Sequence, residues 1–90
     1  MNYKLIPLKS FEKFIRSRDK NERAIIDNKL EILSKDPYNN DILDIKKLKG
    51  YENRYRLRVG KYRIIYEVYD EKFIIILADG GSRGGIYWTI

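Results

Sequence analysis

The sequence predicts an α+β domain in which two N-terminal helices pack on one face of a largely antiparallel, four-stranded sheet, in the order β-α-α-β-β-β. Three observations carry that prediction. Ninety residues, 43% of them hydrophobic, suffice for one buried core and a single domain spanning 1–90. Apolar residues recur at helical spacing as far as Lys35, where Asp36-Pro37 ends the pattern, because proline drives the residue before it out of helical geometry. From Tyr55 the period changes to two, which sends alternate side chains to opposite faces of a strand.

Each element has its own signal. Tyr3, Leu5 and Pro7 alternate with Lys4, Ile6 and Leu8, an opening strand that Pro7 confines to an edge or an end. Ser10 is the expected N-cap of a short helix with Phe11, Phe14 and Ile15 on one side. Asp19 and Glu22 have capping-box spacing and open a second helix. Ile25, Ile26, Leu30 and Leu33 form its apolar stripe, with Ala24 and Ile32 beside it. Tyr38-Asn39-Asn40-Asp41 is loop chemistry, and Ile42, Leu43, Ile45 and Leu48 are expected to tuck that connection against the core.

Tyr55, Leu57 and Val59 then alternate with Arg54, Arg56 and Arg58, and Gly60-Lys61 makes a two-residue hairpin turn. Tyr62, Ile64, Tyr66 and Val68 alternate with Arg63, Ile65, Glu67 and Tyr69 on the return strand. Asp70-Glu71-Lys72 turns the chain into residues 73–79, whose nearly continuous apolar character marks a central strand. Residues 80–88 read as a flexible glycine segment closing on Tyr87 and Trp88.

Composition removes several kinds of chemistry. Without cysteine there is no disulfide, thiol nucleophile or thiolate metal site, and without histidine there is no imidazole base or zinc ligand. No metal and no cofactor are expected. Residues 1–10 carry no signal-peptide pattern, and the longest apolar run, 73–78, is too short to cross a bilayer. A cytoplasmic protein without a membrane partner is the expectation.

The net charge is +6, and it is concentrated. Residues 46–63 hold Lys46, Lys47, Lys49, Arg54, Arg56, Arg58, Lys61 and Arg63 against Glu52 alone, a larger surplus than the whole chain's. Such a field attracts polyanions. A register centred on Gly60-Lys61 pairs Val59 with Tyr62, Arg58 with Arg63, Leu57 with Ile64 and Arg56 with Ile65. Large apolar side chains then share one face, and Arg56, Arg58 and Arg63 share the other. Like charges directly opposite one another destabilise a sheet. A merely solvated face, with Arg56 and Arg63 paired to Glu67 or nearby carboxylates, gains nothing from that cost. An anion-binding face does, because guanidinium forks grip phosphate oxygens and stay charged. Phosphate chemistry, nucleic-acid grip and an acidic protein partner all fit such a face.

Lys47-Leu48-Lys49-Gly50, followed by the hairpin from Tyr55-Arg56-Leu57-Arg58-Val59-Gly60 through Tyr62-Arg63-Ile64-Ile65-Tyr66, resembles the RelE/ParE superfamily of bacterial and archaeal toxins. Ser82-Arg83 with Ile86-Tyr87 resembles that family's closing element, commonly His-Arg-x-x-Val/Ile-Tyr. The resemblance implies a RelE-like fold and a toxin of a type II toxin–antitoxin system. RelE-type members cut mRNA in the ribosomal A site through attack of the ribose 2′-oxygen on the adjacent phosphorus. It implies catalytic roles for Arg56, Arg58, Arg63, Arg83 and Tyr87. Arg63 and Arg83 suit the charged transition state, Arg56 or Arg58 the leaving group, and Tyr87 proton removal or stacking on a base. Neighbouring guanidiniums would favour the Tyr87 phenolate. Lys46, Lys47, Lys49, Arg54 and Lys61 are the expected RNA- or ribosome-binding residues. Ser82 stands where many relatives have histidine, so proton transfer would be arranged differently. The implied partners are mRNA on the ribosome, a cognate antitoxin offering an acidic or amphipathic segment, and operator DNA only through that antitoxin. The alternatives are a ParE-like inhibitor of DNA gyrase and a catalytically inactive binding protein of the same fold.

Overall fold

The computed structural model describes residues 2–82. Strand β1 (Lys4–Pro7) leads into helices α1 (Lys9–Arg16) and α2 (Lys20–Lys35), then strands β2 (Asp44–Lys47), β3 (Arg54–Val59), β4 (Tyr62–Tyr69) and β5 (Ile74–Ser82). A 3₁₀ turn, Asp70–Lys72, joins β4 to β5. The strands form one sheet in the order β1-β5-β4-β3-β2, with β1 parallel to β5 and every other pair antiparallel. The α+β class and the helix–strand order agree with the sequence reading, but the sheet has five strands rather than four.

The added strand is β2, whose residues read as connecting loop. It is four residues long and pairs with residues 55–58 of β3. Ile45 is buried from it, and Asn40 Oδ1, in the loop before the strand, accepts from the Ile45 N–H at 3.1 Å. A strand this short leaves too few alternations to read, and β3 supplies the partner that defines it. Leu43 and Leu48 are buried as expected, whereas Ile42 is 61% exposed.

Three further differences have local causes. Ser10 lies inside the first turn of α1. Leu8 occupies the N-cap with an extended backbone, held by its own N–H to the Leu77 carbonyl at 3.0 Å, and no side chain caps the helix. On α2, Ile26, Leu30 and Leu33 are buried, while Ile25 is 56% exposed. The glycine segment begins as strand: Gly80, Gly81 and Ser82 pair with Ile64, Arg63 and Tyr62, after an irregularity in register between Ile65 and Tyr66. The capping box of Asp19 and Glu22 is present on both arms, and Asp36 closes α2 in extended geometry before Pro37.

The core lies between the helices and one face of the sheet. Phe11 and Phe14 of α1 and the buried stripe of α2 meet Leu57, Val59, Tyr62, Ile64, Tyr66, Val68, Ile75 and Leu77. Gly80 allows α1 its close approach, since a Cβ there would collide with the Phe14 ring. That ring also meets Tyr62 edge-on, with centroids 5.5 Å apart. At the far end, Asp70 Oδ1 accepts from the Tyr3 hydroxyl at 2.7 Å and from the Tyr38 hydroxyl at 2.9 Å. This carboxylate ties the start of the chain, the loop after α2 and the β4–β5 turn together. It also raises the Tyr3 phenol from 10.0 to about 12, chiefly by accepting the phenol's proton in a hydrogen bond. Tyr38 is pushed upward as well, first by burial and then by the same carboxylate. Among the described residues, no helix is long and apolar enough to cross a membrane.

Two outcomes follow from this packing. Gly80→Ala should destabilise the fold by about 1–3 kcal/mol, because Phe14 or the whole of α1 must shift; urea denaturation measures it. The Tyr3 bond to Asp70 stabilises the fold below pH 10 and is lost as pH rises through about 12, because the folded-state value lies above the unfolded one. In Asp70→Asn, absorbance titration should show Tyr3 ionising closer to pH 10, with a shallower alkaline loss of stability than in the parent.

Candidate functional site

The face of the sheet opposite the helices is built by strand alternation. Register places Asp44 beside Arg58, Lys46 beside Arg56, Arg58 opposite Arg63, and Arg54 opposite Glu67. On β5, Gly81 lies across from Arg63 and Asp79 across from Ile65. The hairpin therefore has the pairing read from the sequence, and Arg56, Arg58 and Arg63 do share a face. The large apolar side chains are not all on the other, since Ile65, opposite Arg56, is 1% exposed on the arginine side.

Their surroundings separate them. Arg54 gives both Nε and Nη2 to Glu67 Oε2, at 3.0 and 2.9 Å, while Glu67 Oε1 accepts from the Tyr69 hydroxyl at 3.0 Å. Glu67 is thus taken by Arg54, not by Arg56 or Arg63. Arg56 is only 8% exposed, and its Nη2 bonds Asp44 Oδ1 at 3.0 Å across the β2–β3 pair. Its Nε is buried and donates to no group among the described residues. Burying a charge on this scale requires a partner, and Asp44 supplies it from a carboxylate that is itself 56% exposed.

Arg58 is different. It stands in solvent, its Nε reaches only the Gly60 carbonyl at a long 3.5 Å, and among the described residues no carboxylate forms an ion pair with it. Arg63, directly opposite, is half-buried. The two guanidinium-bearing strands meet beside Gly81, which adds no side chain to crowd them. One exposed and one half-buried guanidinium thus stand on neighbouring strands of the same face.

The other expected binding residues are scattered. Lys46 shares the arginine face and is exposed, whereas Lys47 pairs with Tyr55 and points with the opposite set. Lys49 lies in the turn before β3, and Lys61 sits at the hairpin tip with its ammonium 5.5 Å from the Tyr62 ring centre. Arg54 is engaged internally. Arg83 and Tyr87 lie outside the described residues. Asp44, the partner of Arg56, was not legible because its position depends on β2. Arg18 was also missed: its guanidinium lies 5.0 Å from the Phe14 ring centre and 4.5 Å from that of Tyr62, and it donates to Ser17 Oγ. Only the folded pairing of α1 with β4 brings those rings together.

A family model described as the ParE toxin of the type II toxin–antitoxin system parDE matches residues 7–80. This chain belongs to the RelE/ParE toxin superfamily. RelE1 of Methanocaldococcus jannaschii is 40% identical over 58 residues, 64% of this chain, and the match spans 64% of that relative's length. Among solved structures, the archaeal RelE–RelB complex from Pyrococcus horikoshii matches with a TM-score of 0.82 at 29% identity, covering 94% of this chain and 99% of that one. The RelB–RelE antitoxin–toxin complex from Methanococcus jannaschii matches with a TM-score of 0.75 at 35% identity, covering 94% and 98%. The superfamily fold accounts for the two helices on one side and leaves the arginine face on the other.

The cross-strand cation pair generates a measurable cost. Arg58→Thr should raise stability by about 0.2–1 kcal/mol at low salt, since it removes a like-charge neighbour from Arg63. The gain should shrink near 1 M salt, where screening acts over about 3 Å. Thermal melts of the two proteins at both salt concentrations test it.

Proposed function

We propose that this chain is the toxin of a type II toxin–antitoxin system and acts as a ribosome-dependent endoribonuclease on mRNA. The observation that carries the reading is the Arg58–Arg63 cross-strand pair beside the buried Arg56. Arg58 has no carboxylate ion pair among the described residues, and a phosphodiester offers a charge that guanidinium forks can grip. The curated relative named above carries the name RelE, and the two solved structures named above are complexes with RelB. A cognate antitoxin is accordingly the proposed partner, with an acidic or amphipathic segment suited to a basic face.

In the proposed reaction the ribose 2′-oxygen bonds to the adjacent phosphorus as the bond from phosphorus to the 5′-oxygen breaks. Products are a 2′,3′-cyclic phosphate and a 5′-hydroxyl. Arg63 and Arg83 hold the non-bridging oxygens, whose charge grows in the transition state. Arg58, without a carboxylate ion pair, is better placed than the carboxylate-bound Arg56 to offset the charge on the departing 5′-oxygen, which takes its proton from water as it leaves. Tyr87 removes the 2′ proton as phenolate, because arginine hardly ever gives up its own. The exposed Lys46, Lys47, Lys49 and Lys61 add sequence-independent attraction for RNA and ribosome.

A second reading, inhibition of DNA gyrase, is favoured by the family model itself, which is that of a ParE toxin. Primer-extension mapping of mRNA ends after brief induction separates the two. The nuclease predicts cuts confined to translated regions, reduced about 10²–10³-fold in Arg63→Ala, as for loss of one transition-state donor. Intact messages with broken chromosomes, unchanged by Arg58→Ala with Arg63→Ala, would establish the gyrase reading instead.

A further inference from the structure

The Lys47-Leu48-Lys49-Gly50 element has no part in the phosphate chemistry, yet it builds a defined turn. Gly50 has φ +90°, a conformation open to glycine, and the Tyr51 N–H returns to the Leu48 carbonyl at 3.4 Å. The Leu48 N–H in turn reaches the Arg54 carbonyl at 2.9 Å, fastening the turn to the start of β3. Its product is the placement of Tyr51. The Arg54 guanidinium lies over the Tyr51 ring, 4.9 Å from its centre, while the residue stays 38% exposed.

Arg54 is itself held rigidly. Both donors engage Glu67, and Glu67 is anchored by Tyr69, so the cation over the ring is a fixed part of the sheet. An exposed aromatic ring backed by an oriented guanidinium, with Lys49 beside it in sequence, combines stacking surface with phosphate attraction. Arg54 and Arg58 lie on the same face of β3, four residues and hence about 13 Å apart. That separation takes the platform past the nucleotide being cut to one further along the strand.

We propose that Tyr51 is a substrate-positioning residue, a stacking platform for an unpaired RNA base lying beyond the phosphate held by Arg58 and Arg63. The proposal rests on the nuclease reading for its substrate, but its test does not require cleavage. Tyr51→Trp in a Trp88→Phe background carries a single tryptophan at the platform. It is titrated with a short 2′-O-methylated oligoribonucleotide, which cannot be cut, and with an abasic chain of the same length and charge. Quenching by the oligoribonucleotide and not by the abasic chain is the expected result. In the parent background, Tyr51→Ala should weaken oligoribonucleotide binding about 5- to 100-fold. Tyr51→Phe should restore most of it, and Lys49→Ala should weaken both ligands alike. Equal quenching by the two ligands, no binding of the oligoribonucleotide, or a Tyr51→Ala variant that binds as the parent does would each overturn the platform. Loss or retention of mapped mRNA cuts in Arg63→Ala bears on the nuclease reading alone, so the two failures are distinguishable.

Discussion

The pairing register of β3 with β4 governs how this molecule is organised. With Leu57 opposite Ile64 and Val59 opposite Tyr62, one face of the hairpin is apolar enough to bury both helices. Its other face then necessarily receives Arg54, Arg56, Arg58 and Arg63. Side chains alternate with a period of two, so a slip of one residue would drive the guanidiniums into the core and expose Leu57, Ile64 and Tyr66. That exchange is far too costly to be populated. Gly60, at φ +60°, permits the tight turn that holds the register. The cation cluster is therefore inseparable from the hydrophobic core on the other side of the same strands.

The sheet does not treat its arginines alike. Arg54 and Arg56 are drawn into fixed geometry by Glu67 and Asp44, one through two bonds to a single oxygen and the other through a cross-strand pair that accompanies near-complete burial. These bonds order the face without removing its excess of positive charge. Arg58 keeps its charge in solvent beside Arg63. Arg54 and Arg56 are thus ion-paired to carboxylates, while Arg58 has no carboxylate ion pair among the described residues.

The helix side is secured at separate points. Phe14 rests on the bare backbone of Gly80 and against Tyr62, so α1 lies close to the β4–β5 pair. Glu22 serves two purposes, completing the capping box of α2 and accepting the Tyr62 hydroxyl at 2.7 Å. At the opposite end Tyr66 is fully buried and donates to the Pro37 carbonyl at 2.8 Å, while Tyr55 stacks on its ring. The buried phenol of Tyr66 is pushed well above its ordinary value, first by loss of solvent. Tyrosine suits these places because each ring fills core volume while its hydroxyl still finds a polar partner.

Local chemistry alone determined a good part of this protein. The capping box at Asp19 and Glu22, the stop at Asp36-Pro37, the hairpin turn and its register are all encoded within a few residues of where they act. The period-two alternation of the hairpin likewise encodes the arginine face. Tertiary structure decided what depends on distant partners. Strand β2 exists because β3 lies beside it, and Asp44 reaches Arg56 only across that pairing. Leu8 displaced Ser10 from the N-cap because the Leu77 carbonyl holds its backbone, and Gly80 to Ser82 became strand because β4 extends alongside. Which carboxylate neutralises which guanidinium was settled by the same means. Ion pairs select among competing partners by distance in three dimensions, and spacing along the chain carries little of that information.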